Sequence, residues 1–298
     1  MLIDNNALDL VFKGFKAVYT DAYINTEINW DKIAMQVASA GRDETYGWLG
    51  QFPQLREWLG DRHVMSLRAH SFAIANRDFE STVSVKRSDI ADDRLGVFKP
   101  TFSEMGQLAR THPEELIMGL LARGFDTMCF DGQNFFDTDH PIRDRNDEVT
   151  SVSNMQAGTG AAWFLLDTSR AVRPIIWQER EGYEFESMVD PTNPHVFMRG
   201  EYIYGVRARV NAGFGLWQLA FGSKAPLNVA NYGSARALMQ GFRADGGRIL
   251  GVRPTTLVVP PSLEQAALEV INMDQNQGGA SNPWKGTAKV IVTPFVDI

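Results

Sequence analysis

Between Phe98 and Gly124 the apolar residues keep a helical period for longer than anywhere else in the chain, and this sets the scale of the fold. Phe102, Met105, Leu108 and Ala109, then Leu116, Ile117, Leu120 and Leu121, recur at steps of three and four, which places them on one stripe facing a core. Pro113 has no amide to give to a helix interior, while Thr111 followed by Glu114 has the spacing of a capping box. The pattern predicts a kinked helix or two abutting ones, stopped by Gly124 in a left-handed turn. At 1.5 Å per residue such a rod is about 35 Å long, the width of a small domain. An element of that length needs further layers to brace.

The rest of the chain can supply them. With 298 residues and 44% hydrophobic content, the sequence is long enough for one large or two modest domains with a proper core. Its 36 acidic and 29 basic side chains leave a charge of −7, which argues against general nucleic-acid binding by the whole surface. The single cysteine, Cys129, can form no internal disulfide, which points to a reducing cytoplasm. The first residues lack a basic region followed by an apolar run, and no window approaches the ~18 to 20 apolar residues of a membrane span, so neither a secretory signal nor a membrane anchor is expected.

Leu8, Phe12, Phe15 and Tyr19 make Asn6 to Tyr23 an amphipathic helix with an aromatic stripe, which either packs on its own core or reaches a neighbouring subunit as an arm. Ile33, Met35 and Val37 alternate as a strand. From Gly47 to Ser81, Trp48, Leu49, Phe52, Leu55, Trp58 and Leu59 are interleaved with glycine and proline, giving more apolar groups than regular structure to bury them. Folding back over the core, or lying as a flap anchored on another copy, are the two ways to cover them. Phe79 to Val85 is strand-like, and Asp89 to Asp93 turns the chain into the long helix. Val149 to Gly160 reads as a loop; Trp163 to Trp177 and Glu184 to Val189 read as strands, with turns at Glu181-Gly182 and at Asp190 to Pro194. Tyr202 to Val210 alternates cleanly, with one buried and one polar face, and Phe214 to Phe221 continues the strand-rich block. Asn231 to Arg243 reads as a helix burying Ala235, Leu238, Met239 and Phe242, and Thr256 to Val259 as a short strand. Ser262 is the expected N-cap of a helix to Asn272, and Ala288 to Val296 closes as a strand. No repeat is visible, and the irregular mixture of strands and helices indicates an α+β fold.

Chemistry is sparse. Asp131, Asp137, Asp139 and His140 are the densest polar group and are the residues a metal-dependent hydrolase would use, yet Asp-Gly and Asp-x-Asp-His-Pro are also turn chemistry, with Gly132 at positive φ. The five histidines show no zinc spacing, no G-x-S-x-G elbow occurs, and Cys129 has no nucleophile signature. Gly158-Thr159-Gly160 and Gly213-Phe214-Gly215 lack the third glycine of a dinucleotide loop. Arg170, Arg173 and Arg180 are expected to pair with Asp167, Glu179 and Glu181. No cofactor, metal or catalytic set is expected, and the weight falls on a structural or interaction protein.

Thr45 to Phe52 (TYGWLGQF), Phe130 to Pro141 (FDGQNFFDTDHP), Trp163 to Trp177 (WFLLDTSRAVRPIIW), His195 to Met198 with Glu201 to Gly205, and Arg253 to Leu263 (RPTTLVVPPSL) resemble, along essentially the whole chain, the major head subunit of Mu-like phages and prophages, the gpT family. The resemblance implies a Hong Kong 97-type capsid fold with an N-terminal arm (1–30), a peripheral (P) domain beginning at 31–140, a strand-rich continuation of it at 141–222, and an axial (A) domain at 223–298. Within the first part, 47–81 would be the extended loop and 100–123 the spine helix. The type member of the fold cross-links through a lysine in that loop; this sequence has none between Lys32 and Lys86, so a non-covalent icosahedral shell is expected. Phe12, Phe15, Tyr19, Trp48, Phe52 and Trp58 are the candidate assembly contacts. The family further implies hexamers and pentamers of this chain, a scaffold, a maturation protease and a portal, with double-stranded DNA enclosed without sequence-specific binding, in a virion assembled in the bacterial cytoplasm. A phage tail or decoration protein is the structural alternative.

Overall fold

The computed structural model describes residues 5–50, 52, 72–275 and 279–297. In chain order its elements begin with α1 (Asn5–Asn25), α2 (Trp30–Ile33), β1 (Ala34–Ala38), β2 (Asp43–Thr45), β3 (Ala73–Ala75), β4 (Arg77–Lys86), α3 (Arg87–Ala91) and α4 (Lys99–Ala122). After these come β5 (His140–Arg143), β6 (Val149–Val152), β7 (Met155–Gln156), β8 (Trp163–Leu166), β9 (Ile175–Met188), α5 (Pro194–Arg199) and β10 (Glu201–Phe214). Then β11 (Ala220–Ser223), α6 (Val229–Gln240), β12 (Thr256–Val259), α7 (Glu264–Ile271) and β13 (Lys289–Val292) complete the order.

The long rod is one helix of 24 residues, α4, with Pro113 in its interior. The capping-box reading fails because neither side chain caps: Thr111 Oγ1 donates back to the Gln107 carbonyl at 3.1 Å, and Glu114 Oε2 accepts from the Asn29 amide at 3.0 Å. Gly124 is not left-handed either; it lies in a 3-10 turn where an added Cβ would come within 2.7 Å of the Phe136 ring. The inward stripe runs through Phe102, Met105, Ala109, Pro113 and Ile117, and leaves Leu108 exposed, because Leu108 lies about 120° round the helix from Phe102.

α1 crosses α4 with its Leu8, Val11, Phe15 and Tyr19 stripe inward. Contact is closest at Gly106, where a Cβ would sit 2.3 Å from the Tyr19 carbonyl oxygen. Since backbone rather than a flexible tip stands in the way, Gly106→Ala is expected to push the helices apart and cost about 2 kcal/mol, seen as a lower Tm of the subunit. The pair covers one face of a four-stranded sheet of order β1-β9-β10-β4, in which only β1 runs parallel to its neighbour. As the alternation of β10 predicts, Tyr202, Tyr204, Val206, Ala208 and Val210 are buried, while Arg207 and Arg209 face away among carboxylates. Glu181-Gly182 is a bulge inside β9 rather than a turn: β9 advances three positions, from Glu181 to Glu184, where β10 advances only two, from Arg209 to Arg207.

A second, five-stranded sheet has the order β13-β12-β8-β11-β7. Two expectations change here. The 149–160 segment is not simply loop, since β6 forms a hairpin with β5 and β7 pairs with β11. Nor does 141–222 form one continuation: β9 and β10 belong to the first sheet, β8 and β11 to the second, and a boundary between 222 and 223 would cut through β11. The larger core lies here and extends under the first sheet, with Trp163, Trp177 and Trp217 fully buried. Leu238 of α6 is half-exposed instead of buried, and α7 starts after a 3-10 turn at Pro261–Leu263, so Ser262 caps nothing. The closing strand is short, β13, followed by a turn at Pro294–Val296.

Candidate assembly surfaces and the buried polar network

The six aromatic candidates fall into three situations. Phe15 and Tyr19 are used within the chain: Phe15 stacks on Phe102 with centroids 4.1 Å apart and Tyr19 on Phe185 at 5.0 Å. Phe12, half-buried, lies 5.7 Å from Phe185 with Lys16 over its ring. Trp48 is half-buried beside Tyr46, and Phe52, also half-buried, lines a cavity of about 260 Å³ with Gly50, Phe130, Asp131 and Trp217. Trp58 lies outside the described residues, as does most of the 47–81 stretch.

What the structure shows of that stretch is its base. β2 and β3 pair as a short antiparallel ribbon, so residues 45 and 73 lie side by side. Gln178, fully buried on β9, ties down both strands: Tyr46 Oη donates to its Oε1 at 2.8 Å, and its Nε2 donates to the Ile74 carbonyl at 3.0 Å and to Asn76 Oδ1 at 2.7 Å. Asn76 in turn donates to Ser39 Oγ and the Gly41 carbonyl. Glu44 Oε1 accepts from the amides of Ala40 and Gly41 and from Ser39, and these bonds lower the Glu44 carboxyl below its usual range. Burial, and then the charge of Glu44, pushes the Tyr46 phenol up to about 12, so it keeps the proton it donates to Gln178. Sequence reasoning passed over Gln178 because a lone polar residue in an apolar strand carries no periodic signal; its partners lie about 100 residues away.

The acidic cluster turns out to be a structural clasp. His140 is fully buried, with Nδ1 2.7 Å from Asp131 Oδ2 and Nε2 3.2 Å from Asn154 Oδ1. The Asn154 amide is oriented from both sides, since its oxygen accepts from the Asp137 amide at 2.9 Å and its nitrogen donates to the Phe135 carbonyl at 2.8 Å. Both ring nitrogens of His140 are therefore engaged, one with a carboxylate and one with an amide oxygen. The ring also stacks on Trp217, centroids 3.9 Å apart. Burial disfavours the Asp131 carboxylate, but bonds from His140, Cys129 Sγ and the Gln133 amide outweigh this and hold the carboxyl below its usual range. Cys129 Sγ, Asp131 and His140 come within 4.8 Å of one another, yet burial and the neighbouring Asp131 push the thiol far up, and its sulfur already donates to the carboxylate. That donor set suits a hydrogen-bonded clasp better than a metal. Asp137 accepts from the amides of Asn134 and Thr138, Gly132 takes φ 89° as the turn requires, and Asp139 is exposed. Nothing in this network supports the hydrolase reading: its imidazole has no free nitrogen to act as a base.

The arginines behave likewise. Arg170 does pair with buried Asp167, at 3.2 Å, and reaches the Leu250 carbonyl; Asp167 Oδ2 also accepts from the Arg253 amide at 2.9 Å, which fastens the 163–177 segment to the 253–263 segment. Glu181, in contrast, pairs with Arg207 and Arg209, and Arg180 donates to the Ser39 carbonyl. Gly158 and Gly213 are packing glycines, facing the Lys224 carbonyl and the Ile74 side chain respectively. No helix among the described residues is long and apolar enough to cross a membrane.

A helical rod clamped to one sheet, a second, five-stranded sheet and the short β2–β3 ribbon define a class, the shell-forming subunits of phage heads with the Hong Kong 97-type fold. The fold matches a subunit in the procapsid of bacteriophage JBD30 with a TM-score of 0.88 and 44% identity over 98% of this chain and 100% of that one. It matches one in the JBD30 capsid with a TM-score of 0.78 and 33% identity over 93% and 94%. The chain belongs to the Mu-like prophage major head subunit gpT family, whose model matches residues 8–296. It is 42% identical over 276 residues to the major capsid protein of Escherichia phage Mu, covering 90% of each chain. To the FluMu prophage major head subunit of Haemophilus influenzae it is 40% identical over 271 residues, 89% of this chain and 88% of that one. As in that family, its role is that of a major capsid protein, a virion component that associates with its own copies.

Proposed function

We propose that this chain assembles without covalent cross-links into an icosahedral head shell, in hexamers and pentamers, around double-stranded DNA in the bacterial cytoplasm. The observation that carries the reading is the match to a procapsid subunit over the whole chain. In this reading the four-stranded sheet with α4 is the P domain, the five-stranded sheet is the larger part of the A domain, α1 is an arm folded onto its own subunit, and 47–81 is the extended loop. A scaffold, a maturation protease and a portal are its partners. Many modest interfaces closed by symmetry add up to a shell that comes apart only cooperatively. A net charge of −7 suits the container, since a basic lining would grip the packaged phosphates and oppose ejection.

The test is microscopy and sedimentation of the full chain, alone and co-expressed with the neighbouring head proteins. Shells are expected; tubes, or copies bound only to another protein's shell, would favour the tail or decoration reading. Boiled in denaturant, the shells should run as a single-subunit band, and a ladder of multimers would overturn the non-covalent assignment. Trp58→Ala is expected to leave subunit Tm within about 1 °C and to raise the concentration needed for assembly at least tenfold, as loss of an aromatic interface anchor does.

A further inference from the structure

At one end of the four-stranded sheet, β9 and β10 are joined through α5, and this corner presents its apolar residues instead of burying them. Asn193 Oδ1 accepts from the His195 amide at 2.9 Å, Gly200 closes the helix with φ 63°, and the Gly200 carbonyl accepts from the Arg87 amide at 2.9 Å. The corner is therefore held firmly, with only Val196 turned inward. Phe197 and Met198 are each 79% exposed, more than any other large apolar side chain among the described residues. Lys86, Arg87 and Arg199 are exposed around them, and none of the three enters an ion pair among the described residues.

Directly beside the corner, on the sheet face that α1 and α4 leave bare, lies an open groove of about 220 Å³. Met188, Ile203 and Gly205 form its floor and Glu80, Glu186 and Arg207 its sides. Among the described residues Arg207 is the lone cation there, shared at 3.6 to 3.9 Å among Glu181, Glu184 and Glu186, so their lining keeps an excess of negative charge.

We propose that the α5 corner of one copy docks in this groove of a second copy, with Phe197 and Met198 on the Met188–Ile203 floor and Arg199 against Glu80 and Glu186. The match is one of polarity and sign: an apolar tip ringed by unpaired cations meets an apolar floor walled by carboxylates. A second copy is the occupant because the subunit must associate with itself, and because tip and groove adjoin on each subunit. A head-to-tail contact between adjoining surfaces turns tightly and can close a ring of few copies. The contact rests on the shell reading above.

The experiment compares assembly thresholds of the full chain by light scattering and microscopy, with circular dichroism and Tm as the check on folding. Phe197→Ser with Met198→Ser, and Arg199→Glu alone, should fold like the parent, because these side chains touch little of their own subunit. Each should need roughly 100-fold more subunit to assemble, the loss expected of a central anchor. Glu186→Lys should also weaken assembly, and Arg199→Glu combined with Glu186→Lys should restore it. Thresholds unchanged from the parent, or no restoration in the charge-swapped pair, overturn the contact while leaving the shell reading intact. Normal shells that lose only a bound minor head protein would give the corner to another occupant and equally overturn it. If the parent itself forms no shells beside the other head proteins, the shell reading falls, and this contact with it.

Discussion

His140→Leu is expected to cost the subunit about 3–5 kcal/mol and to remove soluble, assembly-competent protein, because it breaks a buried pair by taking away one partner. Asp131 would keep its carboxylate beneath the surface without the ring that answers it, Asn154 Oδ1 would lose its ring-nitrogen partner, and Trp217 would lose the ring stacked on it. Urea unfolding of the variant checks the size. The companion measurement is Asp131→Leu with His140→Leu, which should recover most of the loss, since an apolar pair of similar shape leaves no charge stranded. Acid unfolding gives an independent check. The Asp131 carboxyl is held below its usual range, so its contribution is complete above the ordinary carboxyl pKa of about 4 and is lost as the pH falls through the lower folded value. Without His140, burial acts unopposed by its strongest counterweight, and the acid transition should move to higher pH.

The second large effect is expected at Trp163. Its side chain is fully buried on β8, in the middle of the five-stranded sheet, and its Nε1 donates to the Ala225 carbonyl at 2.8 Å. Trp163→Ala leaves a cavity and an unpaired carbonyl together, for a loss of about 4 kcal/mol. Trp163→Phe, which fills most of the space, should lose roughly half as much; equal Tm values for the two variants would mean that the hydrogen bond, not the volume, matters at this position.

Periodicity made the rod and β10 readable, because each has one buried face whose spacing is local, while β12 was readable as a short continuous apolar run, buried throughout. The same rule misplaced Leu108 and Leu238, whose steps of three drift off the buried stripe. The Phe130 to Pro141 loop could be read as turn chemistry from its Asp-Gly and Asp-His-Pro, but not as a clasp, since its closing residue, Asn154, gives no sign of being buried. Layer membership was hidden for a topological reason: β8 pairs with β12, some ninety positions on, while β9 next door pairs with β1 far upstream. Gln178 beneath the β2–β3 ribbon escaped notice for the same cause, and the α5 corner stood out only as a family motif, His195 to Met198, with no local signal that Phe197 and Met198 face outward.

The order of the five-stranded sheet bears on how such subunits are made. β13 is its outer strand beside β12, and the turn Pro294–Val296 that follows packs against α4, the rod laid down near residue 100. Closure of the larger core thus waits on residues synthesised among the last in this sequence, Ala288, Ile291 and Val296. Contacts of such long separation form slowly and late. A ribosome-bound chain lacking residues beyond 288 would keep one flank of α4 and one edge of β12 open. A fragment of that kind would present an open strand edge and a bare helix flank where the finished subunit has neither.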